Sequence, residues 1–401
     1  MAFPCPSASS WLVLASSLLV PAAAFAEAAP AAAKETKPKT YWVYIGAYTA
    51  PDNKGIYRFD LDPATGKLTN KALAAESPSP SYLAFHPNGR FLYSVNEVPA
   101  PPGGKKGGGA ISAFAIDSKS GDLTFLSQAS SVGDGPCHLI VDKEGKHALA
   151  ANYGGGSTVV LPIDEKGRVG EHTDFVQHMG KSKDPGRQEG PHGHCVALDA
   201  ANKFAFTCDL GLDKVLIYKY DAEKGKITPN DPASADLAPG SGPRHIAFTP
   251  DGKFAYVVNE LNLTITGFRY DAERGALKEI ETLSTLPKGT ELSKTYSCAE
   301  VVVHPSGKFV YGTNRGHDTI AAFAINPKTG ELTLVGHQGE GIKVPRGFNV
   351  DPSGAFLYAA NQNSDTIVVF RIDAASGRLT PTGEIVHTPN PVDIAFGGRG
   401  R

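Results

Sequence analysis

The sequence predicts an all-β fold: a seven-bladed β-propeller of four-stranded antiparallel blades, closed by pairing of its N- and C-terminal strands. Three observations predict it. A hairpin motif recurs through residues 40–398, seven turns ending in G-x-L or G-x-I/V punctuate the chain, and each end carries an unmatched half-unit.

The motif is seen in GPRHIAFTPDGKFAYVVNE, from Gly242 to Glu260. It recurs as PSYLAFHPNGRFLYSVNE to Glu97, PCHLIVDKEGKHALAANY to Tyr153 and HGHCVALDAANKFAFTCDL to Leu210. It returns as SCAEVVVHPSGKFVYGTNR to Arg315 and VPRGFNVDPSGAFLYAANQ to Gln362. An alternating strand, a P-x-G-K type turn and a strand rich in β-branched and aromatic residues make each unit a hairpin. A third strand such as DTIAAFAI follows, and the turns around Gly66, Gly121, Gly167, Gly225, Gly275, Gly330 and Gly377 lead to a fourth. The chain enters at Tyr41–Tyr48 on a second-strand pattern and ends at Pro391–Phe396 on a first-strand pattern. Joined, these halves form the seventh blade and remove a sheet edge. About 360 residues over seven units gives ~51 per unit, close to known propeller repeats. An open solenoid would leave the matched halves unexplained.

Composition agrees. There are 44 Gly and 30 Pro but 2 Met, which favours strands and tight turns over long helices. A formal net charge of -2 argues against a nucleic-acid binder. The apolar run Trp11–Val20 is too short to span a bilayer, and Ala24-Phe25-Ala26 fits a cleavage site. Residues 1–26 are therefore expected to be an export signal and 27–39 a disordered lead-in, which places the protein in the periplasm or outside the cell. Cys137, Cys195, Cys208 and Cys298 would remain after cleavage. They form no disulfide framework and no C-x-x-C pair. Cys195 and Cys208 fall on adjacent antiparallel strands and are the one pair expected to be able to bridge.

In a propeller, equivalent repeat positions form rings about the central channel. One ring opens the inner strands: Ser81, Cys137, His194, Arg244, Ala299, Arg346 and Val392. A second comprises Glu97, Tyr153, Leu210, Glu260, Arg315 and Gln362. Both vary in residue type, as a ligand site on a symmetric scaffold should. The Asn/Asp residues just before the second ring are nearly uniform, which points to backbone bonding between blades. His86 and His304 precede Pro and are expected at surface turns. The glycine-rich loop Pro99–Gly109 opens no helix and reads as a flexible excursion. The loop Gly180–Gly190, with Lys181, Lys183 and Arg187, either overhangs the channel or is solvated. His192 and His194 in P-H-G-H could share a metal, but spacing reveals no third ligand, so no metal is expected. No G-x-S-x-G elbow, P-loop or dinucleotide fingerprint is present.

The stretches GPHGHCVALD, CDLGLDKVLIYKYD, GSGPRHIAFTPDGKFAYVVNEL, TNRGHDTIAAF and PRGFNVDPSGAFLYAANQNSDTIVVF resemble the seven-bladed propeller lactonases. That family includes bacterial 6-phosphogluconolactonase and fungal carboxy-muconate cyclase. The resemblance covers the chain beyond the leader. It implies hydrolysis of a sugar-type lactone with no cofactor and no metal, by a monomer with no nucleic-acid partner. It also implies a site built from His192 or His194, Arg244, Glu260 and Arg315, four positions that lie on or beside the two rings. Glu260 or His194 would be the general base, Arg244 and Arg315 would bind an anion or the oxyanion, and Arg346 and Gln362 would hold hydroxyls. Tyr153 and His192 would also contact substrate. Two alternatives stay open: a non-catalytic binding propeller, and a cyclase that runs lactone formation.

Overall fold

The turn glycines explain how the blades stack. In a computed structural model of the protein, which describes residues 41–98 and 108–398, all seven have φ between 60° and 81°. Six of them lie against an aromatic ring or imidazole of the preceding blade so closely that a Cβ would come within 2.7 Å of it: Gly66 on Phe356, Gly167 on Phe91, Gly225 on His147, Gly275 on Phe204, Gly330 on Phe254 and Gly377 on Phe309. Gly121 does the same on Trp42. Only glycine satisfies both the left-handed backbone and the close approach. Five of the turn carbonyls also accept a hydrogen bond from a buried tyrosine hydroxyl of the same neighbouring blade: Tyr44 to Gly121, Tyr93 to Gly167, Tyr256 to Gly330, Tyr311 to Gly377 and Tyr358 to Gly66, at 2.6–3.1 Å. Tyr311→Phe should therefore cost about 1–2 kcal/mol, because a buried carbonyl loses its donor. The shift of the urea midpoint, with an unchanged slope, measures it.

Seven sheets of four antiparallel strands follow one another around the ring. Blade 1 joins the two ends of the chain. Its innermost strand, Pro391–Gly398, pairs with Tyr41–Ala47, setting Val43 opposite Phe396 and Ile45 opposite Ile394. Blades 2 to 7 begin at inner strands Leu83–Phe85, Pro136–Val141, Gly193–Leu198, Pro243–Phe248, Ser297–Val303 and Pro345–Val350. The core is a series of sandwiches between neighbouring blades. Val43, Ile45 and Phe59 of blade 1, for example, pack with Phe356, Tyr358 and Ile367 of blade 7. No helix among the described residues is long and apolar enough to cross a membrane.

The Asn/Asp positions are fully buried and all but one bond backbone carbonyls or amides nearby, Asn259 donating to the Thr264 and Thr266 hydroxyls. Asn96 donates to Pro78 O, Asn152 to Ser131 O, Asn314 to Thr285 O and Asn361 to Gly341 O. Asp209 instead accepts from the His192 and Leu212 amides.

Two expectations are corrected. Cys195 and Cys208 do sit directly opposite each other, but both are free thiols, as are Cys137 and Cys298. A bulge between Gly193 and Cys195 turns Cys195 toward the channel, where its Sγ meets His138 Nε2 at 3.5 Å. His304 is no surface residue: it is buried, with Nε2 against the Gly354 carbonyl of the next blade. His86 makes the same bond to Gly145, and a glycine turn in the following blade gives the imidazole room to dock. The export signal, the lead-in and the glycine-rich loop from Pro99 to residue 107 lie outside the described residues.

Candidate active site at one mouth of the channel

The inner strands deliver their side chains unusually. In blades 3 to 7 the ladder slips near the strand opening, at Pro136/His138, Gly193/Cys195, Pro243/His245, Cys298/Val301 and Pro345/Gly347. A regular strand alternates faces, whereas a bulge lets two successive residues turn to one side. Two rings result, one behind the other. The outer ring is the expected one, with His194, Arg244 and Arg346. The inner ring, one residue further along, holds Tyr82, His138, Cys195, His245, Glu300, Gly347 and Asp393. Strict alternation would have sent it away from the axis, so it was not anticipated.

Glu260 is the hub of the outer site. It follows the buried Asn259, its N–H donates to Gly242 O, and it is 5% exposed. Oε2 lies 3.0 Å from Arg244 Nε and 3.1 Å from an Arg315 terminal nitrogen, and Oε1 accepts from Arg187 at 2.7 Å. Arg244 also donates to Ala299 O at 2.5 Å, and Arg315 to Cys298 O at 2.8 Å. Burial alone would raise the Glu260 pKa. The Arg315, Arg244 and Arg187 guanidiniums overcome it and hold the carboxyl at about 2. The Nε–H groups of Arg244 and Arg315 are buried without a well-aligned acceptor, so the Arg244 contact is electrostatic and both donors are left unsatisfied.

Arg187 comes from the 180–190 loop, which does overhang the channel; Lys181 and Lys183 in the same loop are exposed. Repeat register cannot place a residue in a loop that only one blade carries. Arg187 also donates to the Tyr153 hydroxyl at 3.1 Å. The Tyr153 ring stacks on His192 at 4.7 Å, and His192 Nδ1 lies 2.9 Å from Tyr153 O. His192 and His194 thus diverge rather than share a ligand. His194 is buried, edge-on to Tyr153 and His245, with Nδ1 3.7 Å from Cys137 Sγ. Burial, then the Arg244 and His245 charges, push its pKa well below the usual imidazole value. Burial likewise pushes the Cys137 thiol up, so it is no thiolate nucleophile.

A second network closes the other side of the mouth. Arg346 donates to Tyr48 OH at 2.7 Å, Tyr48 donates to Glu97 at 2.8 Å, and Ser81 donates to the same carboxylate oxygen at 2.6 Å. Tyr48 directly follows the strand Tyr41–Ala47 and holds in blade 1 the position that Glu97 and Gln362 hold in theirs, but it was left off the ring; Glu97 stood on its ring without an assigned role. Gln362 is held through its backbone N–H to Val344 O, and its side chain joins neither network among the described residues. Across the mouth, the guanidiniums of Arg187, Arg244, Arg315 and Arg346 outnumber the carboxylates of Glu260 and Glu97. The surplus is positive and suits an anionic or oxyanionic ligand.

A family model described as lactonase, seven-bladed β-propeller, matches residues 42–396. The 6-phosphogluconolactonase of Bacillus subtilis is 36% identical over 311 residues, spanning 78% of this chain and 85% of that protein. The 6-phosphogluconolactonase of Formosa agariphila is 34% identical over 315 residues, spanning 77% and 86%. The solved structure of Pseudomonas aeruginosa periplasmic gluconolactonase matches with a TM-score of 0.84 at 33% identity, over 90% of this chain and 100% of that one. From the blade count, the gathered residues and these matches, the chain belongs to the seven-bladed β-propeller lactonase family.

Proposed function

We propose that this lactone-hydrolysing enzyme opens a sugar-type lactone by metal-independent attack of water at the channel mouth. One observation carries the proposal: Arg244 and Arg315 converge on Glu260 with their Nε–H donors unsatisfied, next to a buried neutral imidazole at His194. Water attacks the lactone carbonyl, and His194 takes its proton. The carbonyl oxygen gains charge and is met by the Arg244 and Arg315 donors, already fixed in place. The tetrahedral centre collapses, the ring oxygen leaves, and it takes the proton back from His194. The product carboxylate is held by the surplus positive charge of Arg187 and Arg346.

Glu260 is the weaker choice for the base, since a carboxyl held at about 2 accepts protons poorly. It serves as the counter-charge that fixes three arginines. A weakly basic imidazole is enough for a lactone that already hydrolyses slowly in water. The export signal expected over residues 1–26 and the named periplasmic location of the Pseudomonas relative support a periplasmic or secreted enzyme and an unphosphorylated lactone.

The test is pH-stat hydrolysis of glucono-δ-lactone and its 6-phosphate by the purified protein, with and without chelator. Arg244→Ala should lower kcat/KM by about 10²–10³ on the preferred lactone, the loss typical of one oxyanion donor. Unchanged kcat/KM in a folded Arg244→Ala protein removes this site. A null lactone panel with ligand-dependent thermal shifts would favour a binding propeller instead. The acid limb of kcat/KM should lie below 6.5, because the depressed His194 pKa keeps the imidazole unprotonated as pH falls past the ordinary value. A limb at or above 6.5 would show that another group is the base.

A further inference from the structure

Behind the outer ring, the inner ring gathers chemistry that lactone opening does not use. His138, Cys195 and His245 come from the inner strands of blades 3, 4 and 5, and all three are buried. One ligating atom from each, two imidazole nitrogens and a sulfur, lies within 4.8 Å of the others. Cys195 Sγ and His138 Nε2 are already 3.5 Å apart. Metal–nitrogen and metal–sulfur bonds of ~2.0 and ~2.3 Å at a tetrahedral angle give a ligand–ligand edge of about 3.5 Å.

His245 supplies the second, independent observation. Its Nδ1–H donates to Glu300 Oε1 at 2.7 Å, while Nε2 is buried with no hydrogen-bond partner and is the nitrogen left for a metal. A carboxylate behind an imidazole whose other nitrogen bears a free lone pair is the arrangement that orients a metal-binding histidine. An unpaired buried nitrogen otherwise costs stability for nothing. Charge agrees. Besides Cys195, the inner ring carries two buried carboxyl groups, Glu300 and Asp393, that add negative potential beside the cluster. Arg244, the residue before His245, stands in the outer ring and is paired with Glu260.

We propose that His138, Cys195 and His245 bind one divalent transition-metal ion of the zinc class, with Glu300 orienting His245. The site lies directly behind the lactone site, with His245 edge-on to His194, and does not rest on the lactonase assignment. Binding converts the Cys195 thiol to a metal thiolate and releases its proton to solvent. His138 gives up its long 3.4 Å contact with the Val196 amide and moves its proton to Nδ1, which frees Nε2 for the metal. Three protein ligands leave one position open. It faces a cavity of about 270 Å³ lined by Phe248, Phe348, Asn349 and Asp393, on the side of the inner ring away from Glu260. An open fourth position is the mark of a site that binds water or ligand rather than a closed structural one.

The probe is the metal alone. Purified protein stripped with chelator is titrated with Co(II) and Zn(II). One equivalent should bind, Co(II) giving a thiolate charge-transfer band in the near ultraviolet with tetrahedral d–d bands. Cys195→Ser should abolish the charge-transfer band, while Cys208→Ser, on the facing strand, should keep it. Glu300→Gln should weaken Zn(II) binding by about 10–100-fold, the usual effect of losing a partner that orients a ligand. X-ray absorption of the unaltered zinc protein needs no variant and should give one sulfur at ~2.3 Å and two imidazoles. Binding below a tenth of an equivalent, a band that survives Cys195→Ser, or a zinc shell without sulfur would overturn the proposal.

Discussion

Glu260→Ala is expected to lower kcat/KM on the preferred lactone by about 10²–10³ and to destabilise the fold by about 3–5 kcal/mol. Both effects have one cause. Arg244 and Arg315 are nearly enclosed, and both reach the same carboxylate oxygen, Glu260 Oε2, while Arg187 holds the other. Removing the carboxylate leaves like charges facing each other in a low-dielectric channel, and the guanidiniums must separate. The donors proposed for the oxyanion then lose their positions. Glu260→Gln separates charge from shape, since the amide keeps the volume and one acceptor. It should recover part of the stability and little of the activity. Linkage gives a third readout. The folded carboxyl at about 2 lies below its ordinary value of 4.5, so its stabilisation is present above pH 4.5 and is lost as pH falls toward 2. That contribution is on the order of 3 kcal/mol, so the Gln variant should show a flatter fall in stability across this acid window. Urea midpoints between pH 3 and 7 measure it. A variant with unaltered activity and unaltered acid sensitivity would show that the three arginines do not depend on this carboxylate.

Deleting residues 391–401 should abolish cooperative unfolding altogether. The strand they supply is the innermost of blade 1, and Val392, Ile394 and Ala395 are buried in it. Its loss exposes the edge Tyr41–Ala47 and breaks the ring between blades 1 and 2, where Asp393 accepts the Leu83 N–H at 2.9 Å. An open edge of this length invites aggregation. A circular permutant that links residue 398 directly to residue 41 and opens the chain in the loop between blades 6 and 7 should fold and melt cooperatively. Calorimetry on both proteins decides the matter. A truncated chain with a sharp, reversible transition would mean that closure contributes little.

The sevenfold count was legible because each unit repeats the same physical solution. A glycine turn must be left-handed and must admit a ring from the neighbouring blade, so Gly66 through Gly377 recur in register. The half-units at Tyr41 and Pro391 announced closure for the same reason. His194, Arg244, Glu260 and Arg315 could be placed at the channel because equivalent positions in a closed ring face one axis. Other features had no such signal. Arg187 sits in a loop peculiar to one blade, and the link from Tyr48 to Glu97 and Arg346 joins stretches far apart in sequence, although register by itself puts Tyr48 on the second ring. His304 looked like a turn residue, yet it docks across a blade boundary.

Periodic hydrogen-bonding and packing needs are local and repeat along the chain, so the sequence by itself determined the blade number and the ring that carries His194, Arg244 and Arg346. Contacts across the channel are set only when seven separate stretches of chain converge. The tertiary structure alone therefore decided that three arginines share one carboxylate, that Glu260 is held ionised while His194 stays neutral, and that bulges turn a second ring of histidine, cysteine and carboxyl groups inward. Charge balance and burial depend on the distances among these groups, and spacing along a single strand does not contain those distances.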